Sequence, residues 1–447
     1  MGIKAAYMVP HPPLIVPSVG RGGEDQIRET TASYERVAED IARIAPDTIV
    51  IISPHSVMYS DYFHISPGKG ARGDFGNFRA PQESFDETYD DEFVTRLTEL
   101  VSYDQFPAGI KGERDKDLDH GTMVPLYFIR KHYKNGKIVR IGLSGLSLED
   151  HYKLGKYIKY VSDALGRSTV VVASGDLSHK LQEYGPYGFD PAGPVYDEKI
   201  MEAARRCDFE GMLKFDEELL DNAAECGHRS FCIMAGTLDG YEVKSEVLSH
   251  QDVTGVGYGV CIFEPVKPKE GSPYVRLARA TIEKYVNTHK RLRFPEDLPE
   301  GLEEALPSEA KSSRAGAFVS VHKNGMLRGC IGTIGPVEPM IAEEIISNGI
   351  SAVSRDPRFD PVTSDELDQL EINVDILMEP EYIDGPDKLD VKRYGVIVSC
   401  GGRRGLLLPD LDGVDTVEEQ IDIAMRKGGI RPYEDYRLQR FEVIRYK

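Results

Sequence analysis

No stretch of 18 consecutive apolar residues occurs in the chain, so the sequence offers no hydrophobic membrane-spanning helix. The opening segment, MGIKAAYMVPHPPLIVP, lacks a signal-peptide layout, because Pro10, His11, Pro12 and Pro13 break its apolar stretch. There are six cysteines and no C-x-x-C pair, which argues against a disulfide framework or a structural zinc site. A reducing, cytoplasmic setting is the expectation. Cationic residues are in deficit: 54 Lys and Arg against 74 Asp and Glu leave a net charge of -20. Such a surface repels phosphate backbones, so nucleic acid is not expected as a partner. No G-x-x-x-x-G-K-[ST] loop and no G-x-S-x-G elbow occur, which removes the P-loop nucleotide site and the serine-hydrolase elbow.

What is present reads as folded. Apolar residues make up 40% of the chain and charged residues 29%, the composition of a protein with ordinary cores. At roughly 150 residues per domain, 447 residues predict two or three domains. The clearest break is EPVKPKEGSP, residues 264–273, whose prolines and mixed charges read as a linker. It separates residues 1–263 from residues 274–447.

The first part alternates short apolar runs with helical patterns. KAAYMV (4–9), TIVIIS (48–53), KIVRIGL (137–143) and TVVVAS (169–174) read as buried strands. Residues 24–45 place Ile27, Tyr34, Val37, Ala38, Ile41 and Ile44 at helical spacing, with Pro46 as the stop. Residues 195–206 and 209–220 also read as helices. The expected fold class is α/β: a largely parallel or mixed sheet flanked by helices. Gly255, Gly257 and Gly259 lead into an apolar strand rather than a helix, so they predict a bend or close backbone approach, not a dinucleotide site. The second part reads as a smaller α+β domain. Its signals are a hairpin over 317–332 turning at Asn324-Gly325, helices in EPMIAEEIISNGISAVS and VEEQIDIAMRKGGI, and strands in EINVDILM, YGVIVSC and FEVIRY.

Histidines stand just past three of the predicted strands. His11 lies in Val9-Pro10-His11-Pro12-Pro13, His55 in Ser53-Pro54-His55-Ser56, and His179 in Gly175-Asp176-Leu177-Ser178-His179. Ligands of open α/β sheets bind outside the carboxyl ends of the strands, so three such imidazoles could converge. A preceding proline stiffens the backbone and presents the ring rigidly. Neutral imidazole suits Fe, Zn, Cu and Ni, and two His with one carboxylate is the open non-haem Fe(II) pattern. Each His could equally cap a strand or bind a carbonyl. A carboxylate would come from Asn222-Ala223-Ala224-Glu225-Cys226-Gly227-His228, where Glu225 could also be a surface acid near a helix start. In the same segment Cys226 could be a soft ligand or a small buried hydrophobe. Tyr184 and Tyr187 follow His179 and could line a substrate pocket or simply pack the loop.

These residues, taken in order, resemble the class III extradiol ring-cleavage dioxygenases and their relatives in the Memo family. The resemblance covers nearly all of residues 3–263. It rests on His11, the S-P-H at His55, D-H-G-T-x-V-P-L from Asp119 to Leu126, S-G-D-L-S-H from Ser174 to His179, and Ala224-Glu225. It implies a ferrous ion held by His11, His55 and Glu225, His179 as acid/base and His120 as a second substrate-facing imidazole. The implied reaction is oxidation of a catecholic or related aromatic small molecule. The Cys226-Gly227 pair departs from that pattern and is similar to the Memo segment, in which a cysteine faces the metal; Cys226 is the alternative third ligand and favours copper or zinc. Residues 274–447 resemble the AMMECR domain family, through Leu327-Arg328-Gly329-Cys330-Ile331-Gly332-Thr333 and Ser354-Arg355-Asp356-Pro357-Arg358-Phe359. The fusion of the two resembles proteins that accompany a radical-SAM partner. A non-catalytic binding module is a further reading, and an oligomer is left open. Within this second part Arg328 beside Cys330 could make a reactive thiolate, against a buried Cys in a tight hairpin. Arg355 and Arg358 could bind an anion or pair with acids.

Overall fold

The computed structural model describes residues 2–112, 117–323, 325–411 and 413–447. Asn324 of the expected hairpin turn, and part of the charged loop before His120, lie outside them. The chain divides into two compact units, Met1–Lys269 and Glu270–Lys447.

The first unit is built on β1 (Ile3–Val9), β2 (Thr48–Ser53), β3 (Lys137–Gly142), β4 (Thr169–Ser174), β5 (Tyr241–Gln251) and β6 (Tyr258–Pro268). Their order is β3-β2-β4-β1-β6-β5. The first four run parallel, and β6 turns antiparallel to β1 and β5. The mixed α/β sheet is therefore as expected. The apolar runs alternate their side chains between two cores. Ala6, Met8, Val50, Ile52, Val171 and Ala173 enter one. Ala5, Tyr7, Val9, Ile49, Ile51, Val170 and Val172 enter the other. A strand buried on both faces is apolar along its middle, which is why the central residues of TIVIIS and TVVVAS show no polar alternation.

Helices cover both faces. Those named here are α1 (Arg28–Ile44), α2 (Asp91–Tyr103), α3 (His120–His132), α4 (Leu148–Ala164), α5 (Ala192–Arg206) and α6 (His228–Thr237). Apolar positions of α1 and α3 join one core, and those of α2, α4, α5 and α6 the other. The expected helix over 209–220 is two short pieces, Phe209–Met212 and Glu217–Ala223, because Asp208 and Asp216 each cap a new start. The segment read as a linker begins as strand: β6 continues to Pro268, paired with β5. Beyond Phe263 no pairing with β1 continues, so Pro265 and Pro268 lie where a missing N–H costs little.

The second unit is α+β, as expected. Its strands are β7 (Ala317–Lys323), β8 (Met326–Gly332), β9 (Leu370–Leu377), β10 (Glu381–Ile383), β11 (Tyr394–Cys400), β12 (Arg403–Leu407) and β13 (Arg437–Tyr446). They form an antiparallel sheet in the order β8-β7-β9-β13-β11-β12, with β10 beside β13. Helices α7 (Pro273–Thr288) and α8 (Ile341–Ser354) pack on β7 and β9 to make its main core. Helix α9 (Val417–Gly428) closes a smaller core against β11 and β12.

Candidate metal centre

Strands β1, β2 and β4 are neighbours, and their carboxyl ends release three loops side by side. The loop after β1 presents His11, that after β2 presents His55, and that after β4 presents Asp176 and His179. A fourth loop, between the 217–223 helix and α6, brings Cys226. The loops approach closely through glycine: a Cβ on Gly175 would lie 2.1 Å from the Cα of Gly227. The chain there tolerates no side chain.

The Nε2 atoms of His11 and His55 lie 2.9 Å apart. The Cys226 sulfur is 3.7 Å from His11 Nε2. Donor atoms of these three residues all fall within 4.8 Å of one another. Metal bonds of about 2.0–2.1 Å to nitrogen and 2.3 Å to sulfur put neighbouring donors about 3–4 Å apart, so the donor set fits one ion. His11 is aimed by what surrounds it. Its Nδ1 meets Ser174 Oγ at 3.0 Å, and its backbone N–H donates to Asp176 Oδ1 at 2.8 Å. A ligand held at its second nitrogen is fixed in tautomer and direction.

Burial, and then the neighbouring His55, lower the His11 pKa to about 3. Burial lowers His55 as well. Both rings are therefore neutral near pH 7, the form that binds metals. Burial, with Asp176 and Glu225 nearby, holds the Cys226 thiol well above its ordinary range. A bound ion reverses that balance, because a coordinating thiol gives up its proton.

His120 opens α3, where Asp119 caps the helix by accepting from the Thr122 N–H. The His120 ring lies 4.0 Å from that of His55 and 5.4 Å from that of His11. Burial lowers its pKa to about 4. Phe78 lies edge-on to it, ring centroids 5.5 Å apart. His179 donates from Nδ1 to the Ala224 carbonyl at 2.5 Å, which leaves Nε2 as the free ring nitrogen. That Nε2 is 4.0 Å from Asp176 Oδ2. The exposed Tyr187 packs edge-on against His179 at 5.0 Å, while Tyr184 stands in solvent.

The structure thus gathers His11, His55, His120, His179 and Cys226. Glu225 is directed elsewhere. Its Oε2 accepts from the His228 N–H at 2.5 Å, at the start of α6, and burial raises its pKa to about 7. Neighbouring residues on a bending loop project differently, and here the thiol faces the imidazoles. Asp176 is the residue to which the sequence reading gave no role. Its signal was an acid three places before His179 on the same loop.

In the second unit the Arg328 guanidinium is taken up by Glu366, with both contacts at 3.0 Å. The Cys330 thiol meets Ser320 Oγ at 3.1 Å instead. Arg358 pairs with Asp356 at 2.7 Å, and Arg355 is exposed. Close backbone approach is found at Gly255 in the first unit: a Cβ there would lie 2.6 Å from the Cα of Gly185.

Sheet, strand-end loops and donor set together define the first unit as an α/β domain with a candidate metal centre at the carboxyl ends of its parallel strands. Residues 5–261 match the family described as the catalytic LigB subunit of aromatic ring-opening dioxygenase, and residues 275–447 match the AMMECR1 family. The chain belongs to the LigB family, as a dioxygenase-like, Memo-like domain fused to an AMMECR1 domain. A protein of Clostridium acetobutylicum is 41% identical over 474 residues and covers 100% of both chains. A protein of Thermotoga maritima is 51% identical over 177 residues, 39% of this chain and 97% of its own. The crystal structure of an uncharacterized protein from Pyrococcus horikoshii is 34% identical, with a TM-score of 0.34, covering 39% of this chain and 89% of that one. Among the described residues, no helix is long and apolar enough to cross a membrane.

Proposed function

We propose that the first unit is a metal-dependent oxidoreductase of the dioxygenase-like type, acting on a small hydroxylated aromatic, with its ion on His11, His55 and Cys226. The observation that carries this reading is the convergence of imidazoles in a LigB-family domain, with His11 and His55 Nε2 atoms 2.9 Å apart and the His120 ring 4.0 Å from that of His55. When bound, the ion supplies Lewis acidity and a redox centre where substrate and oxygen can meet. The protein supplies the rest. His120 is neutral near pH 7 and can take a proton from a substrate hydroxyl. His179, with Nδ1 fixed on a carbonyl, offers Nε2 for proton transfer. Phe78 and Tyr187 place aromatic edges beside these imidazoles and suit a planar ring.

A second reading follows from the same thiol. Two His with a carboxylate favour ferrous iron and ring opening, whereas a thiolate is a softer ligand and favours copper or zinc. The softer set suits a Memo-like role with a radical-SAM partner on a different substrate.

The test is elemental analysis of protein purified anaerobically without chelator, for wild type, His55→Ala, Cys226→Ser and Glu225→Gln. We expect at least one equivalent of metal in wild type and Glu225→Gln, and a content lower by about one equivalent in the other two. Iron, together with oxygen uptake on catechols, supports ring oxidation. Copper or zinc without uptake supports the second reading. Metal lost in Glu225→Gln but kept in Cys226→Ser would overturn the ligand set, and no metal in any of them after reconstitution would overturn the site.

A further inference from the structure

The donors around Cys226 do not form one group. His11, His55 and Cys226 lie within 4.8 Å of one another, and so do Asp176, His179 and Cys226. The two groups meet only at the sulfur. Ligands of one ion, with bonds of about 2.0–2.3 Å, are at most about 4.5 Å apart, so one ion does not gather all five donors. The second group is built as firmly as the first. Asp176 Oδ1 is occupied by the His11 N–H, and Oδ2 faces His179 Nε2 at 4.0 Å. His179 is turned that way by its Nδ1 bond to Ala224. The loops are joined by Asp176 N–H to Cys226 Sγ at 3.3 Å and by Cys226 N–H to the Asp176 carbonyl at 3.4 Å. The Asp176 side chain is 9% exposed and that of His179 16% exposed. A carboxylate oxygen and a ring nitrogen facing each other at 4.0 Å, both within 4.8 Å of one sulfur inside the protein, make a donor set and not a surface acid cluster.

We propose that this centre takes two divalent ions of borderline softness bridged by the Cys226 thiolate. One ion sits on His11 and His55, and the other on Asp176 and His179. Carboxylate, imidazole and thiolate together suit Zn(II), Fe(II) or Co(II) better than a hard ion such as Mg(II). Ions sharing the sulfur stand about 3.5–4 Å apart, the spacing of two-metal centres. The inference rests on the reading of Cys226 as a metal ligand. It changes one assignment: with both ions bound His179 is a ligand, and His120 is the imidazole left for proton transfer.

The test is anaerobic equilibrium dialysis of the full chain against Co(II), with optical and electron paramagnetic resonance spectra. Wild type is expected to bind two Co(II), show thiolate-to-cobalt charge transfer, and give less resonance signal than two isolated ions because the shared sulfur couples them. His179→Ala leaves the Asp176 bond to His11 in place and should bind one ion with full uncoupled signal. His55→Ala should also bind one, and Cys226→Ser should lose the charge-transfer band. Circular dichroism shows whether each variant keeps its fold, and Asp176→Asn, which retains an acceptor for His11, is the alternative if His179→Ala does not. One Co(II) in wild type, lost in His55→Ala, overturns the second ion and leaves the proposed function standing. Two in both wild type and His179→Ala, or loss of both ions from a folded His179→Ala, overturns it equally. No Co(II) in wild type removes the metal reading itself.

Discussion

At the scale of single residues, the site turns on which of two adjacent side chains faces the imidazoles of His11 and His55. Glu225 spends its carboxylate on the first turn of α6, and Cys226 faces the imidazoles. This has a consequence for pH. His11 and His120 are pushed down to about 3 and about 4, so neither holds a proton between pH 6 and 8. The Cys226 thiol is pushed up and stays protonated over that range. Binding one ion therefore releases about one proton, and affinity rises as pH rises. The logarithm of the apparent affinity should climb by about one unit per pH unit from 6 to 8, measured by competition with a chromophoric chelator. In Cys226→Ser the residual affinity should be nearly flat. A flat wild-type profile would mean that the thiol is not a ligand.

At the scale of elements, the parallel strands and the loops that follow them were legible. Unbroken β-branched runs such as TVVVAS have no other stable home than a strand covered on both faces. Pro10-His11 and Pro54-His55 marked strand ends because proline brings no N–H to a sheet ladder. The direction of Glu225 against Cys226 was not legible, since it depends on a left-handed backbone at Ala224 (φ 52°) that composition does not announce. Strand β5 was missed for a related reason: its burial alternates and its charges are many, so it lacks the apolar run of a central strand. The role of glycine was visible only in part. Gly175 and Gly227 each flank a site residue, yet only the fold shows that they touch. Gly175→Ala should cost about 1–3 kcal/mol, because backbone faces the added methyl and cannot give way as a side chain would. It should also separate the Cys226 loop from the loop of Asp176 and His179, so that metal content falls. Gly23→Ala, where the nearest atom to the new Cβ is 4.0 Å away, is the control expected to leave both unchanged. Chemical denaturation together with elemental analysis reads both effects, and retention of metal by a folded Gly175→Ala would contradict this account of the loop contact.

At the scale of the whole molecule, the chain holds two units, each with its own core. All the donors of the proposed centre belong to Met1–Lys269. A ligand stabilises the cooperative body that binds it, by about 2.7 kcal/mol when its concentration is 100 times its dissociation constant. An unfolding entropy of about 2.1 cal/mol/K per residue converts that into a rise of about 5 °C in melting temperature for a unit of this size. Calorimetry of the full chain should therefore resolve two transitions, with added Zn(II) raising only one. Two ions bound at comparable affinity should raise it by about 10 °C, and His179→Ala should halve the rise. The Arg328–Glu366 pair lies in the other unit, so Glu366→Gln should lower the transition that zinc leaves alone. If zinc and Glu366→Gln moved the same transition, the two units would unfold as one body.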